Sequence, residues 1–200
     1  MSFTYKYLDF ANALRDALVG DPFYKTLEDT VSVCDKKEGM LKYMDYSMIE
    51  AEIFGKLYIP EDHKHGVSIW SKPIPDELEE RRVMLKKSFI KDYLGEKSLD
   101  VYSDIVKFMS EKSDKLLIKD MWYLSIVGVL PQFQGQGYGV GLISSVLSET
   151  DKYNIPTFLE TFTPRNMSFY KRLGYTAIDS YVEPTIGAEY WIMSRGPVKE

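Results

Sequence analysis

The sequence has little cysteine and no long uninterrupted apolar run. Its single cysteine, Cys34, has no partner for an intrachain disulfide bond and no second thiolate for a metal cluster. No apolar stretch reaches the roughly 18 residues of a membrane-spanning helix. Residues 1–7 lack the charged and apolar regions of a secretory signal peptide. We therefore expect a cytoplasmic protein, in a reducing compartment, with no membrane partner.

The chain also has no excess of basic residues. It contains 25 Lys and Arg against 30 Asp and Glu, so its formal net charge is −5. Proteins that bind nucleic acid usually carry a basic surface, so nucleic acid is not expected as a partner, and a cationic small molecule suits the acidic chain better. With 200 residues, of which 44% are hydrophobic, the chain can bury a sizeable core within one domain.

Apolar spacing in the first half of the chain predicts helices and one hairpin. The predicted helices cover residues 7–19, 38–52, 77–94 and 99–112. Two short β-rich runs, 53–59 and 66–70, flank a polar turn and predict a hairpin. His63 and His65 lie in this turn, but without a convincing third ligand they predict a solvated turn and no metal site.

The pattern changes after residue 120. Residues 121–129 are apolar at both alternating sets of positions, which is typical of a central strand buried on both faces. A glycine-rich turn follows, and the further predicted elements are a helix over 138–152, a strand over 155–162, a short helix over 166–173 and strands over 175–182 and 189–194. This order predicts a single α/β domain spanning residues 1–200.

The glycine-rich turn lies within residues 127–141, which read Val-Gly-Val-Leu-Pro-Gln-Phe-Gln-Gly-Gln-Gly-Tyr-Gly-Val-Gly. Glycines let backbone N–H groups approach a ligand, and a helix N-terminus attracts anions, so the turn suits a phosphate. A P-loop is excluded because no Gly-Lys-Ser/Thr is present, and G-x-G-x-x-G fails at its sixth position in both registers. The remaining pattern is Gln-x-x-Gly-x-Gly, filled by Gln134, Gly137 and Gly139. A glycine-rich helix start without a ligand is the alternative.

Together with the following segments, this turn resembles the GNAT N-acetyltransferase family. Residues 127–139 are similar to the acetyl-CoA motif that ends the family's fourth strand, and residues 158–161 and 165–175 to its fifth strand and next helix. Trp122-Tyr-Leu and Leu159-Glu-Thr are most similar to the puromycin N-acetyltransferase branch. The resemblance implies an α/β fold whose mixed central sheet is splayed between its fourth and fifth strands, with helices on both faces.

The resemblance also implies acetyl-CoA as cosubstrate, bound by the segment 120–182. The implied cofactor-binding residues are Val127, Gly128, Val129, Gln134, Gly135, Gln136, Gly137, Tyr138, Gly139 and Asn166. In this interpretation the N–H groups of residues 134–139 hold the pyrophosphate, and the pantetheine arm lies along the strand edge. The Val129 N–H would donate to the thioester oxygen, where negative charge develops. Asn166 matches a family position that binds the cofactor arm.

Two residues are candidates for catalysis. Tyr170 matches the family's general acid, because a phenol with a pKa near 10 keeps its proton at neutral pH; membership of the helix's core face is the alternative. Glu160, an ionisable residue within a strand, is the candidate base or substrate anchor, unless it pairs with a buried Arg or Tyr. Tyr43, Tyr46 and Trp70 are candidates for stacking on the acceptor, in the part of the chain where the family builds its acceptor pocket.

The predicted function is transfer of an acetyl group from acetyl-CoA to the primary amine of a small molecule. Direct attack in a ternary complex needs no enzyme nucleophile, so a Ser-His-Asp signature is not required. Residues 1–115 are expected to form the acceptor side. The alternatives are an inactive CoA-binding sensor or interaction protein, and an acetyltransferase acting on protein N-termini or lysines. A homodimer is the default expectation.

Overall fold

A computed structural model describes residues 3–198 of the protein, which form helices around one sheet. The helices are α1 (Leu8–Leu18), α2 (Pro22–Thr30), α3 (Lys36–Phe54), α4 (Asp76–Tyr93), α5 (Glu96–Ser113), α6 (Tyr138–Lys152) and α7 (Met167–Arg172). The strands are β1 (Gly55–Tyr58), β2 (Gly66–Ser71), β3 (Trp122–Val129), β4 (Thr157–Thr161), β5 (Thr176–Glu183) and β6 (Ala188–Arg195). Within residues 3–198, no helix is long and apolar enough to cross a membrane.

The sheet is six-stranded, mixed and open, with the strand order β1-β2-β3-β4-β6-β5. β3 and β4 run parallel, and all other neighbours are antiparallel. The expected α/β architecture is therefore confirmed. The strand that ends at Val129 is the third in this chain, not the fourth, because everything before the hairpin is helical.

The sheet opens between β3 and β4. These strands pair only at their first residues, and the last pair is Leu124 with Leu159. Beyond that point β4 continues beside β6, where Thr161 pairs with Trp191, while β3 continues beside β2. The expected splay is thus present, between the third and fourth strands of this chain.

A β-bulge in β3 reverses the facing of its side chains. Ile69 of β2 pairs with Ile126, whereas Trp70 pairs with Leu124, so Ser125 is an extra residue in β3. Leu124, before the bulge, packs in the core cluster formed with α6 and α7. Ile126, after it, packs in the cluster formed with α1, α3 and α4. The bulge therefore lets one strand contribute to the cores on both faces of the sheet.

A missed helix and the start of the first strand are the main differences from the predictions. Helix α2 was not predicted, yet its start has a clear signal: the Asp21 side chain accepts a hydrogen bond from the Phe23 N–H, and Pro22 occupies the first helical position. The first hairpin strand begins at Gly55 and not at Ile53, because α3 continues through Phe54. Packing of α3 against the sheet maintains the helix in a segment whose local composition favours a strand.

Candidate functional site

A cavity of about 580 Å³ occupies the gap between β3 and β4 and continues beneath the N-terminal helices. Val127, Asn166 and Tyr170 line it from the side of the splayed strands and α7. Helices α2 to α5 contribute a second set of lining residues, which includes Tyr24, Tyr43, Glu50, Arg82, Lys86 and Tyr102. The strand gap and the helical region therefore enclose one continuous space.

The backbone of β3 presents hydrogen-bonding groups to this gap. Leu130 N–H donates to the His65 carbonyl at 2.7 Å, and Gly66 is the register partner of Val129. Antiparallel pairs alternate between bonded and non-bonded, so the N–H groups of Val127 and Val129 point away from β2. At Val127 and Val129, β4 no longer pairs with β3. An extended amide-containing ligand can therefore bind these groups as a neighbouring strand would.

The glycine-rich turn ends at the N-terminus of α6. Gly135 (φ +77°) and Gly137 (φ +90°) both adopt the left-handed conformation that favours glycine, and Gly137 is the N-cap. A Cβ at either position would meet no atom of the described chain within 4 Å, so the turn is open to its surroundings. Helix geometry leaves the N–H groups of Tyr138 and Gly139 without intrahelical acceptors, which makes this a site for an anion.

The two glutamines of the turn shape its backbone. The Gln134 side-chain amide donates to the Val129 carbonyl at 2.9 Å, and the Gln136 amide donates to the Gln132 carbonyl at 3.0 Å. The Gln134 N–H donates to the Pro131 carbonyl at 3.2 Å. Of the predicted phosphate-binding residues 134–139, Gln134 therefore has its N–H engaged within the loop.

Helix α7 brings Asn166 and Tyr170 to the cavity. Asn166 precedes the helix, and its side chain does not cap it, so the carboxamide is not engaged there. Tyr170 lies in the core cluster and also lines the cavity, so its position is compatible with packing and with contact to a ligand. Burial raises the pKa of Tyr170, and nearby Tyr175 and Asp21 raise it further, so the phenol holds its proton at neutral pH.

Glu160 faces the cavity because of strand alternation. Thr157, Leu159 and Thr161 of β4 are buried, whereas Phe158 and Glu160 alternate with them and line the cavity, to which Thr161 also contributes. Burial raises the pKa of the Glu160 carboxyl to about 7, Tyr123 opposes the shift, and Asp114 adds to it.

One oxygen of Glu160, Oε1, is buried and has no hydrogen-bond partner among residues 3–198. A buried carboxylate oxygen without a donor is costly, and such atoms in native proteins call for an explanation. With a pKa near neutrality, Glu160 can accept a proton from a bound ammonium group.

The three predicted stacking residues have different positions. Tyr43 lines the cavity, but the Lys86 ammonium lies 4.4 Å from its ring centroid. Tyr46 is not among the lining residues, and its ring stacks on Phe89 with centroids 4.1 Å apart. Trp70 borders the cavity, yet its indole belongs to the sheet core, where its N–H donates to the Ser68 hydroxyl. Of the three, Tyr43 alone has its side chain in the helical part of the cavity.

Sequence reasoning missed Glu50 and Lys86 as cavity residues. The buried residues of α4 are Lys86, Phe89 and Ile90. This spacing of three and four is typical of a core-facing stripe, so a lysine within the stripe was the available signal. Glu50 follows the buried Ser47 by three residues on α3, which is the same kind of signal.

The arrangement fits acetyl-CoA in two respects. The cosubstrate's phosphates match the free N–H groups at the start of α6, and its amide-containing arm matches the unpaired backbone of β3. Residues 108–185 match the family model described as acetyltransferase (GNAT) domain. This segment of the chain is therefore similar to a GNAT acetyltransferase domain, and the similarity supports an acyltransferase activity.

Solved structures with related folds cover nearly the whole chain. A histone acetyltransferase HPA2 and related acetyltransferase from Corynebacterium glutamicum is 15% identical, with a TM-score of 0.66, over 100% of this chain and 95% of that one. Arylalkylamine N-acetyltransferase 2 from Aedes aegypti is 13% identical, with a TM-score of 0.62, over 96% and 94%. At these identities the similarity is one of fold.

Proposed function

We propose that the protein transfers an acetyl group from acetyl-CoA to the primary amine of a small molecule, by direct attack in a ternary complex. The observation that carries this proposal is Glu160, a buried carboxyl with a pKa of about 7 that lines the same cavity as Val127 and Tyr170. A base with a pKa near the working pH is efficient at deprotonating an ammonium group.

Binding is assigned to backbone groups. The N–H groups of residues 135–139 hold the phosphates, Val127 binds the arm, and the Asn166 carboxamide contributes a side-chain hydrogen bond. Acetyl-CoA, when bound, supplies the activated acyl group. The Val129 N–H faces the gap and stabilises the negative charge that develops on the acyl oxygen.

Glu160 takes one proton from the acceptor's ammonium group, and the resulting amine attacks the acyl carbon. A C–N bond forms, the C–S bond breaks, and the second proton of the nitrogen goes to the departing sulfur. Tyr170 donates a hydrogen bond to that sulfur and keeps its own proton. Complete transfer from Tyr170 is unfavourable, because its raised pKa lies above that of a thiol, about 8.5.

The enclosure of the cavity supports a small acceptor. Helices α2 to α5 cover its helical part, and their aromatic and charged side chains line the space that a peptide would need to cross. We accordingly infer that residues 1–115 form the acceptor side and residues 120–182 the cosubstrate side. We also propose similarity to the puromycin N-acetyltransferase branch, on the basis of the motif residues 122–124 and 159–161.

The test is release of free thiol from acetyl-CoA in the presence of a panel of primary amines and of lysine-containing and free-N-terminus peptides. We expect turnover with amines and none with peptides. Glu160→Gln should reduce turnover, and Glu80→Gln, the same substitution on the exposed side of α4, is the matched control. Turnover with peptides alone would favour the protein acetyltransferase. Acetyl-CoA binding without turnover of any acceptor would favour the inactive sensor.

A further inference from the structure

The helical part of the cavity contains a second polar cluster, in addition to Glu160. Lys86 of α4 and Glu50 of α3 both line the cavity, with Lys86 Nζ 3.7 Å from Glu50 Oε2. Arg82 lies one turn before Lys86, with a guanidinium nitrogen 3.6 Å from Glu50 Oε2. These nitrogen–oxygen distances fit ion pairs but are too long for hydrogen bonds. Both cations therefore attract the Glu50 carboxylate, which still lacks a close hydrogen-bond donor among residues 3–198.

Both members of the Glu50–Lys86 pair have unused hydrogen-bonding capacity. Glu50 Oε1 is buried and has no hydrogen-bond partner in the described part of the chain. The Lys86 side chain is only 6% exposed, and its ammonium donates to the Ser47 hydroxyl at 2.9 Å. An ammonium group has three protons to donate, so a donor and an acceptor are both available within one small region.

The charges of this cluster are already balanced. Arg82 forms a two-bonded pair with Glu79, and Lys86 faces Glu50, which gives two cations and two anions. Adding a carboxylate or a second ammonium group would leave one buried charge uncompensated, at a high cost. A neutral group that both donates and accepts a hydrogen bond satisfies Glu50 and Lys86 together without disturbing this balance.

We propose that Glu50 and Lys86 form a second acceptor subsite, which binds a hydroxyl or carboxamide carried by the amine substrate. The preferred acceptors are then amino alcohols or amino amides, with the amine at Glu160 and the neutral polar group at the Glu50–Lys86 pair. This inference rests on the proposed function, since it assigns the distal end of the same acceptor. Tyr43 and Tyr102, whose ring centroids are 6.4 Å apart, form part of the wall around the molecule.

The experiment compares matched acceptors in several chain lengths: an alkylamine, an amino alcohol, an amino amide, a diamine and an amino acid. KM is measured from thiol release, and binding of each acceptor to the CoA-loaded protein is measured by calorimetry. We expect the amino alcohol or amino amide of the best length to bind at least about tenfold more tightly than the alkylamine, as for a hydrogen bond to a charged group. The diamine and amino acid should show no such gain.

Variants of Glu50 and Lys86 test whether these two residues cause the preference for a neutral polar group. Glu50→Gln and Lys86→Met should each reduce the ratio of alkylamine KM to amino alcohol KM towards one. Glu80→Gln should leave the ratio unchanged. Thermal unfolding verifies that each variant is folded, and the acceptor series on the unaltered protein tests the subsite even where a variant does not fold.

The outcomes separate the two proposals. Equal affinities throughout the series, or a clear advantage for the diamine or the amino acid, would overturn the subsite while the acetyltransferase activity stands. A calorimetric preference for the neutral polar group without thiol release would support the subsite and refute the proposed reaction. If no acceptor binds and none is acetylated, both proposals fail.

Discussion

Gly139 and Phe169 are in close apposition: a Cβ at Gly139 would lie 3.3 Å from Phe169 Cζ. Gly139 belongs to the first turn of α6, and Phe169 precedes Tyr170 on α7. The turn proposed to bind phosphate and the helix that carries Tyr170 therefore support each other directly. Position 139 favours glycine because the Phe169 ring packs closely against it, and not because of a positive φ.

Replacing Gly139 by Val should weaken acetyl-CoA binding by about tenfold, because the added methyl groups would displace α7 and the helix start together. Calorimetric titration measures the effect. Gly141→Ala is the matched control, since a Cβ there meets nothing within 4 Å. Adding Phe169→Ala to Gly139→Val should restore part of the affinity. No recovery in the double variant would contradict the packing explanation.

The pH dependence of turnover should follow Glu160. The base must be ionised to accept a proton, so kcat/KM should increase as the pH rises through about 7 and level off above it. Glu160→Gln should lower kcat by about a hundredfold or more and remove this inflection. The profile is measured at saturating acetyl-CoA, with kcat/KM taken from rates at amine concentrations below KM. An unchanged inflection in Glu160→Gln would assign the titration to another group.

The same carboxyl should affect stability. Its pKa is about 7 in the folded protein against an ordinary value of 4.5, so the folded state binds this proton more tightly than the unfolded chain does. Stability should therefore decrease as the pH rises from about 4.5 to about 7. Glu160→Gln should then be more stable than the parent by about 3 kcal/mol at pH 8. Urea unfolding at pH 8 and pH 4 tests this, and an equal difference at both pH values would refute it.

Substituting Phe for Tyr170 removes one hydroxyl from the cavity. We expect kcat to fall at least about tenfold, while the dissociation constant of acetyl-CoA remains within about twofold of the parent value. Stopped-assay kinetics and calorimetry measure the two quantities separately. A parallel loss of affinity and turnover would indicate that Tyr170 acts in packing, as its place in the core cluster also allows.

Asp151 and Arg195 provide a stability test remote from the cavity. The Arg195 guanidinium donates to both Asp151 carboxylate oxygens at 2.6 and 2.7 Å, and its side chain is 7% exposed. Asp151→Ala should cost about 3 kcal/mol, because it leaves a buried cation unpaired.

Hydrogen bonds from Arg195 lower the pKa of Asp151, so this stabilisation is present at neutral pH and is lost as the pH falls below about 4. Denaturation curves should therefore differ most at pH 7 and converge in acid. A difference of the same size at both pH values would mean that the pair's charge contributes little.

The C-terminal half of the fold was predictable, because its strands and helices carry strong local patterns. The turn at Gly135 and Gly137 needs glycine for its positive φ, so the sequence marks the position of this turn directly. The helical part of the cavity was not predictable, because Glu50 of α3 comes together with Lys86 and Tyr102 only through the packing of α3, α4 and α5 against one another. The same applies to Tyr46, whose helical position gives no indication that its ring stacks on Phe89.

The extra residue at Ser125 divides β3 into two halves with opposite facing. A one-residue deletion there would reverse the facing of the side chains from Ile126 to Val129. Each side chain that now points to one face of the sheet would then point to the other face. Gly128, whose Cβ position lies 2.9 Å from Leu14 of α1, would be replaced at that contact by a bulkier neighbour. In a length-variant library we therefore expect insertions and deletions to be tolerated at the exposed Glu61 and Asp62 and eliminated at this point of β3.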